Sequence, residues 1–329
     1  MSDLSRLGEA GIISLFDSGA VDDPVIRGIG DDCAVVRLSN GELQLLTTDL
    51  IVEGIHFRRA FGSPSQLGAK ALAVNLSDIA AMGGTPQACL LALSLPPELD
   101  ESWLLAFRDG FTNTAAKYGC QIVGGDTCAC AGLVTIAVTV TGRAAAAQVL
   151  WRSGAADGDD IWISGTPGLA ALGLRILEAG GAGDHGAVAE AVERHLSPVP
   201  QIELGRELAT GGLATSCIDT SDGIAIDLGH LCAANGLGAV LEENSIPLPS
   251  VPANRDDDPL ELALQGGEDY LLLFTANPDN RDRLRAMPAL HRIGKILKSK
   301  TGIELSRKDG TRQEITPNGY AHFPPHSSD

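Results

Sequence analysis

The chain has 329 residues, too many for one domain of ordinary size and enough for two. With 44% hydrophobic and 20% charged residues it cannot be globally disordered. Lys plus Arg is 24 against 42 Asp plus Glu, a net charge of -18, which argues against nucleic acid or an anionic membrane as partner unless the positive charge is clustered. The one dense basic stretch, 291–300, is interleaved with Ile293, Ile296 and Leu297 and reads as a strand with a solvated face.

Aromatics are only 4%, and alanine and glycine carry much of the apolar share, so the elements should pack closely. The seven cysteines are odd in number, residues 1–16 lack a basic start followed by an apolar run, and no stretch approaches about 20 apolar residues. These features point to the cytoplasm and to reduced thiols. Cys128-Ala129-Cys130 has no second pair and no histidine at zinc spacing, so it reads as plain cysteines.

In chain order, residues 5–16 have helical periodicity. Residues 33–38 and 43–48 are strand-like runs joined by Ser39-Asn40-Gly41, a hairpin signal. Ser63-Pro64 opens a helix that runs to Met82, where Gly83-Gly84 stops it. Strands follow at 88–95, 121–123 and 133–141, with a helix at 100–118 opened by acidic residues. This β-β-α-β-α-β-β order predicts an α+β half, a ferredoxin-like domain with helices on one face of a mostly antiparallel sheet.

Residues 142–160 carry little periodic pattern, so the expected domains are 1–145 and 146–329. Beyond 161 come helical patterns to about 209. Then follow a strand at 214–218, a helix at 223–234, a strand at 239–242, a Pro-rich loop, a short helix, a strand at 271–275, another helix and a closing pair of strands. That alternation predicts a C-terminal α/β domain.

Six short constellations carry the chemistry. Gly28-Ile29-Gly30-Asp31-Asp32 is a tight turn ending in carboxylates. Thr47-Thr48-Asp49 closes a buried strand and precedes Glu53-Gly54-Ile55-His56-Phe57; hydroxyls beside a carboxylate suit a hard cation, or else a cap. In the helix 70–83, Lys70, Val74 and Asp78 fall on one side, and Asn75 and Asp78 are unusually polar for such an apolar segment. Gly124-Gly125-Asp126-Thr127 is placed directly after a strand. Asp219-Thr220-Ser221-Asp222-Gly223 lies between a strand and a helix whose N-terminus suits an anion. Gly266-Gly267-Glu268-Asp269-Tyr270 opens another strand.

Each alone could be turn chemistry. Together, Asp32, Asp49, Asp78, Asp126, Asp219 and Asp222 all stand at the ends of apolar elements rather than in charge runs. So many carboxylates gathered at one place could not all stay ionised without cations, and magnesium with a polyphosphate resolves that. There is no P-loop and no protein-kinase catalytic loop, so the phosphates would be held through metal and turns.

In their order these motifs, with Arg152-Ser153-Gly154-Ala155 and Gly319-Tyr320-Ala321-His322-Phe323, resemble the thiamine-monophosphate kinase family of the aminoimidazole ribonucleotide synthetase superfamily. The resemblance implies Mg2+ ligands at Asp32, Thr47, Thr48, Asp49, Asp78, Asp126, Asp219 and Asp222. It implies ATP contacts at Gly125, Asp126, Arg152 and Ser221, with Arg108 a lesser candidate, and thiamine-monophosphate contacts at His56, Glu268 and Tyr320. Asp49, Asp126 and Arg152 would be catalytic, ATP the co-substrate, and the protein a homodimer whose N-terminal sheets join across the two-fold. The chain departs from the family at Cys128-Ala129-Cys130, where Thr-Arg-Gly is usual, and at Pro167-Gly168-Leu169, where a Gly-Asp is usual; both bear on nucleotide packing.

The acceptor would be a phosphate monoester, with second pKa about 6, dianionic at neutral pH and in no need of a general base. Rival readings are a sister ATP-using enzyme of the aminoimidazole ribonucleotide synthetase type and a catalytically silent acidic metal-binding assembly protein. A selenophosphate synthetase would need a reactive Cys–Lys context near its N-terminus, and a hydrogenase-maturation dehydratase a C-terminal cysteine. Neither is present: the first cysteine is Cys33 and the last is Cys232.

Overall fold

The computed structural model describes residues 4–181, 186–298 and 302–316. The first half runs α1 (Gly8–Ser14), β1 (Val25–Arg27), β2 (Ala34–Arg37), β3 (Glu42–Val52), α2 (Pro64–Ala81), β4 (Thr85–Leu95), α3 (Glu101–Tyr118), β5 (Gln121–Ala129) and β6 (Thr135–Ala145). The second runs β7 (Asp160–Ser164), α4 (Leu169–Glu178), α5 (Gly186–Leu196), α6 (Ile202–Thr210), β8 (Ser216–Asp219), α7 (Ile224–Asn235) and β9 (Gly238–Glu242). It closes with α8 (Pro259–Gln265), β10 (Leu272–Ala276), α9 (Arg281–Arg285), β11 (Leu290–Leu297), β12 (Ile303–Ser306) and β13 (Arg312–Glu314).

The first sheet has the order β1-β2-β3-β6-β4-β5, antiparallel except for the parallel edge pair β4–β5. α2 and α3 cover one face, as the element order anticipates. Along β3 the pleat alternates, with Leu43, Leu45 and Ile51 buried while Leu50 is 54% exposed on the opposite face. Three elements differ from the sequence reading. β1 is additional, α1 is shorter than its periodicity suggests, and β5 continues through Gly124–Thr127, so that motif sits within a strand and not after one.

The second sheet has the order β13-β12-β9-β11-β7-β10-β8. Strands and helices do alternate here, but every strand pair is antiparallel except β12–β9. Both faces of its centre are buried, which explains the continuous apolar runs. Trp162, Cys217, Leu272 and Phe274 join the core shared with the first half, and Trp162 stacks on Phe274 at 6.4 Å between ring centroids. The alternate residues Ile161, Ile163, Ile218 and Leu273 form a separate core with α7 and α8.

α2 is the hinge pin of the molecule. Ser63 Oγ accepts from Gln66 N and the Gln66 side chain accepts from Ser63 N, a capping box that starts the helix where Ser63-Pro64 signals it. Small residues then let backbones touch. A Cβ on Gly110 of α3 would stand 1.8 Å from Ser65 O, and one on Gly205 of α6 would stand 2.0 Å from Ala80 O. Helices from both halves therefore press on α2, and the Ala/Gly-rich composition becomes close approach.

Gly110→Ala should destabilise the fold. The helix-propensity gain of about 0.5–1 kcal/mol is outweighed by overpacking worth about 1–3 kcal/mol or more against backbone. Gly229→Ala in α7 is the control: a Cβ there meets nothing within 4 Å, so it should stabilise by about 0.4–1 kcal/mol. Urea midpoints of the two variants, moving in opposite directions from wild type, check this.

Candidate active site

The polar side chains of α2 reach β3, β8 and the segment before β10. Thr47 Oγ1, on the inner face of β3, donates to Asp78. Asn75 Oδ1 accepts from Asp49 N at 3.0 Å, and Ser77 Oγ donates to Asp219 Oδ2 at 2.5 Å across the two halves. Asp32 approaches from the turn between β1 and β2. Carboxylate oxygens of Asp32, Asp78 and Asp219 lie within 4.8 Å of one another, and Asp49 bears electrostatically on Asp78 and Asp219.

This crowding shows in the acidities. Burial raises Asp32 to about 7, helped by Asp219 and opposed by Arg152. Burial alone raises Asp49 to about 6. Burial also lifts Asp219 to about 6, with Ser77 and Arg152 pulling it down. Asp78 is pushed well above the carboxylate range by burial and by Asp49, Asp219 and Asp32. Asp32 Oδ2 is buried with no hydrogen-bond partner. An orphaned oxygen among clustered hard donors fits a divalent cation such as Mg2+, which satisfies the lone pairs and removes the repulsion.

Arg152 supplies the nearest positive charge. Its Nη2 and Nε donate to Asp32 Oδ1 at 2.6 and 3.2 Å, and its backbone N donates to Asp31 at 3.2 Å. Asn235, at the end of α7, fixes this segment: it donates to Arg152 O at 2.8 Å and accepts from Gly154 N and Ala155 N. Asn235 gives no sequence signal, because a helix-terminal asparagine is ordinary capping chemistry.

Ser221 and Asp222 lie in the turn between β8 and α7. Buried Asp227, one turn into α7, accepts from Asp222 N and Gly223 N and holds the turn closed. The segment 266–270 is laid across it: Glu268 N donates to Ser221 O at 2.7 Å, and Tyr270 N to Thr220 O at 2.8 Å. Glu268 and Tyr270 adopt φ of +66° and +51°, a conformation that costs non-glycine residues free energy and persists only where its surroundings enforce it. Between them Asp269 is buried and accepts from Gly168 N and Ala170 N, capping α4.

Glu268 behaves opposite to the aspartates. Burial would raise its pKa, but Lys70 and His195 together outweigh burial and hold it down at about 2. Lys70 Nζ donates to Glu268 Oε2 at 3.1 Å and to His195 O at 3.0 Å. A cavity lined by Phe57, Phe61, Trp103, Lys70 and His195 adjoins this group.

The remaining candidates are dispersed. His56 Nδ1 accepts from Val52 N at 3.1 Å in the turn after β3. Thr48 points to the face of β3 away from the carboxylates, with its hydroxyl on Val138 O and Thr139, so its side chain does not join them. Gly125 and Asp126 sit on β5, the exposed outer strand. Asp126 pairs with Ala92, three strand spacings from β3, or about 14 Å. Gly125 is required there, since a Cβ would fall 1.8 Å from Leu91 O. Arg108 is exposed on α3 and paired with its neighbour Asp109, apart from the cluster. Tyr320 lies outside the described residues.

Two family models match this chain. AIR synthase related protein, N-terminal domain, covers 30–144, and AIR synthase related protein, C-terminal domain, covers 156–305. The chain is 38% identical over 312 residues to the thiamine-monophosphate kinase of Salmonella typhimurium, spanning 91% of this chain and 92% of that one. The chain belongs to the thiamine-monophosphate kinase family. A Bacillus subtilis member is 32% identical over 90% of the chain and 93% of its own length. A solved structure described as AaThiL complexed with AMPPCP and TMP superposes with TM-score 0.85 at 31% identity, over 98% of this chain and 99% of that one. Thiamine-monophosphate kinase from Stenotrophomonas maltophilia superposes with TM-score 0.75 at 38% identity, over 88% and 92%. Hydrogenase maturation protein HypE of Escherichia coli, 21% identical with TM-score 0.70 over 93% and 96%, shares the fold alone.

The raised aspartates give the metal-free protein a defined pH response. A carboxyl whose folded pKa exceeds its unfolded one binds more protons when folded, so its contribution is favourable below the unfolded pKa and is lost as pH rises through the folded value. With Asp49 and Asp219 at about 6 and Asp32 at about 7, the melting temperature of chelator-treated protein should fall as pH rises from about 4 to 8. Mg2+ should flatten that slope, and a slope unchanged by Mg2+ would contradict the assignment of the cluster.

Proposed function

We propose that this protein transfers the γ-phosphoryl group of ATP to thiamine monophosphate, giving thiamine diphosphate and ADP. The observation that carries this reading is the convergence of Asp32, Asp78 and Asp219 within 4.8 Å, with an orphaned carboxylate oxygen and with Asp49 bearing electrostatically on two of them, in a chain of this family. The relatives' name and the AaThiL complex with an ATP analogue and TMP support the choice of substrates.

An oxygen of the acceptor phosphate attacks the γ-phosphorus in line while the bond to the β–γ bridging oxygen breaks and ADP leaves with the electron pair. The acceptor is dianionic at neutral pH, so no side chain need take a proton. The obstacle is repulsion between two anions, which makes catalysis a matter of positioning and charge neutralisation. Bound Mg2+ supplies that neutralisation; Asp32, Asp49, Asp78 and Asp219 would hold it, joined at the nucleotide by Asp126, Asp222, Thr47 and the backbone at Thr48. Arg152, already drawn in by Asp32, adds positive charge beside the phosphates. Gly125 and Ser221 border the nucleotide, with Arg108 farther out. His56, Glu268 and Tyr320 receive thiamine monophosphate.

Two copies would pair through the uncovered face and edge of the first sheet, where Leu50, Leu90, Ile122, Val123 and Leu133 are all exposed. The setting would be the cytoplasm, in keeping with seven free cysteines. No helix among the described residues is long and apolar enough to cross a membrane.

Purified protein with ATP and Mg2+ should form thiamine diphosphate from thiamine monophosphate and nothing from free thiamine; no product from the monophosphate would overturn the reading. Asp49→Asn should lower turnover at least about 100-fold, since losing even an outer-shell partner of a metal costs about 10–100-fold. Its metal-free melting temperature should hold or rise, because a neutral amide replaces a buried carboxylate. Full activity in that variant would remove Asp49 from the metal site.

A further inference from the structure

Lys70 and His195 come from elements far apart in the chain, α2 and α5, and both converge on a single oxygen of Glu268. Lys70 Nζ is 3.1 Å from Oε2, and His195 Nδ1 is also 3.1 Å from it. The lysine contact is a hydrogen bond. The histidine contact is close but is not a hydrogen bond. Lys70 and His195 are buried, at 5% and 4% side-chain exposure, whereas Glu268 is 26% exposed. Among the described residues the other oxygen, Oε1, has no partner. Lys70 also donates to the backbone carbonyl of His195, which ties the two supports to each other.

A buried lysine committed to one carboxylate oxygen is an expensive arrangement merely to close a fold. Desolvating an ammonium costs several kcal/mol, and an apolar pair of similar volume often serves stability as well. What the arrangement does achieve is orientation. Glu268 is held at φ +66°, its backbone anchored on Ser221, its Oε2 gripped and its Oε1 left without a partner among the described residues. The adjoining cavity presents Phe57, Phe61 and Trp103, faces suited to a flat cationic heteroaromatic ring. Its cations are already neutralised: Arg58 pairs with Glu178, Arg59 with Glu53 and Lys70 with Glu268. The cavity therefore offers aromatic faces without a surplus of positive charge, and it adjoins Glu268 through the Lys70 and His195 that line it.

We propose that Lys70 and His195 are positioning residues that fix Glu268 as an ionised acceptor with one free oxygen, setting affinity for the positively charged, N–H-donating heteroaromatic part of the phosphate acceptor. This rests on the reading of Glu268 as an acceptor-substrate contact. Neither residue touches the reacting phosphates, so their effect falls on one substrate only.

The test is two-substrate steady-state kinetics on the full chain, for wild type and for Lys70→Gln, Lys70→Arg, His195→Asn, Glu268→Gln and the Lys70→Gln/Glu268→Gln double variant. Lys70→Gln should raise KM for thiamine monophosphate about 10- to 100-fold, the range for losing a hydrogen bond to a charged group. KM for ATP should stay at the wild-type value, and kcat should fall by less than KM rises. Lys70→Arg should recover most of the loss, and adding Lys70→Gln to Glu268→Gln should raise KM no further. If Lys70→Gln fails to fold, His195→Asn makes the same measurement from a different helix. Equal changes in both KM values, additive effects in the double variant, or an unchanged KM would overturn the proposal. A wild type that makes no thiamine diphosphate overturns the functional reading as well; an active wild type with an unmoved Lys70→Gln variant overturns this inference alone.

Discussion

The structure depends on a buried helix that cannot afford to be wholly apolar. α2 lies between the two halves, and most of its residues are buried, yet Lys70, Asn75, Ser77 and Asp78 stand among them. A buried polar group costs free energy unless it is partnered, so each of these residues dictates where another element must come. Asn75 fixes the level of β3 through Asp49 N. Ser77 draws in the end of β8. Lys70 requires a carboxylate from the segment before β10. Gly68, Gly110 and Gly205 then bring neighbouring backbones into contact with the helix, so these polar reaches are made at fixed distance. The site is thus assembled by the satisfaction of one helix, and its precision follows from dense packing, where a shift at one element is felt at all.

Two kinds of carboxylate result within one fold. The aspartates at the C-terminal end of α2 are crowded together and short of positive partners, so burial and mutual repulsion drive them towards protonation. Glu268, at the other end of the same helix, meets two nitrogen bases and is driven towards ionisation. The contrast follows from partner identity rather than depth, since both groups are desolvated. The first arrangement leaves charge repulsion that a cation would relieve, while in the second the opposite charge is already supplied by the chain itself. On the proposed reading the two would serve different substrates: a centre whose charge arrives with a cation and nucleotide, and a fixed acceptor for thiamine monophosphate.

Much of this was readable in the sequence, for identifiable reasons. The cap at Ser63 and the stop at Gly83-Gly84 are local, so the ends of α2 follow from neighbouring residues. The aspartates stand out because each lies at the end of an apolar element and outside any charge run. What could not be read was anything set by contacts distant in the chain. β5 was cut short because Gly124-Gly125 looks like a turn; only the parallel partner β4 makes an extended glycine pair sensible. Thr48 looked equivalent to Thr47 until the pleat of β3 turned it to the opposite face. Asn235 and His195 carry no motif at all, since their roles lie in partners 83 and 73 positions away. Antiparallel pairing in the second sheet was likewise hidden, because a strand buried on both faces reads the same whichever way its neighbours run.

The position of Asp126 follows from the same logic at the sheet's edge. Asp32, Asp78 and Asp219 are each buried against a second element, so their acidities are strongly perturbed. Asp126 occupies an edge strand whose residues are all exposed. An exposed edge with apolar residues on its face is a poor surface to leave in water. Its neighbours Ile122 and Val123 therefore mark the side from which cover would come. Cover at that edge would lower the dielectric around Asp126 and so strengthen any interaction it made with a cation. On the proposed pairing of two copies through this sheet, association would complete the outer end of the nucleotide site while the inner end is already formed by the fold of one.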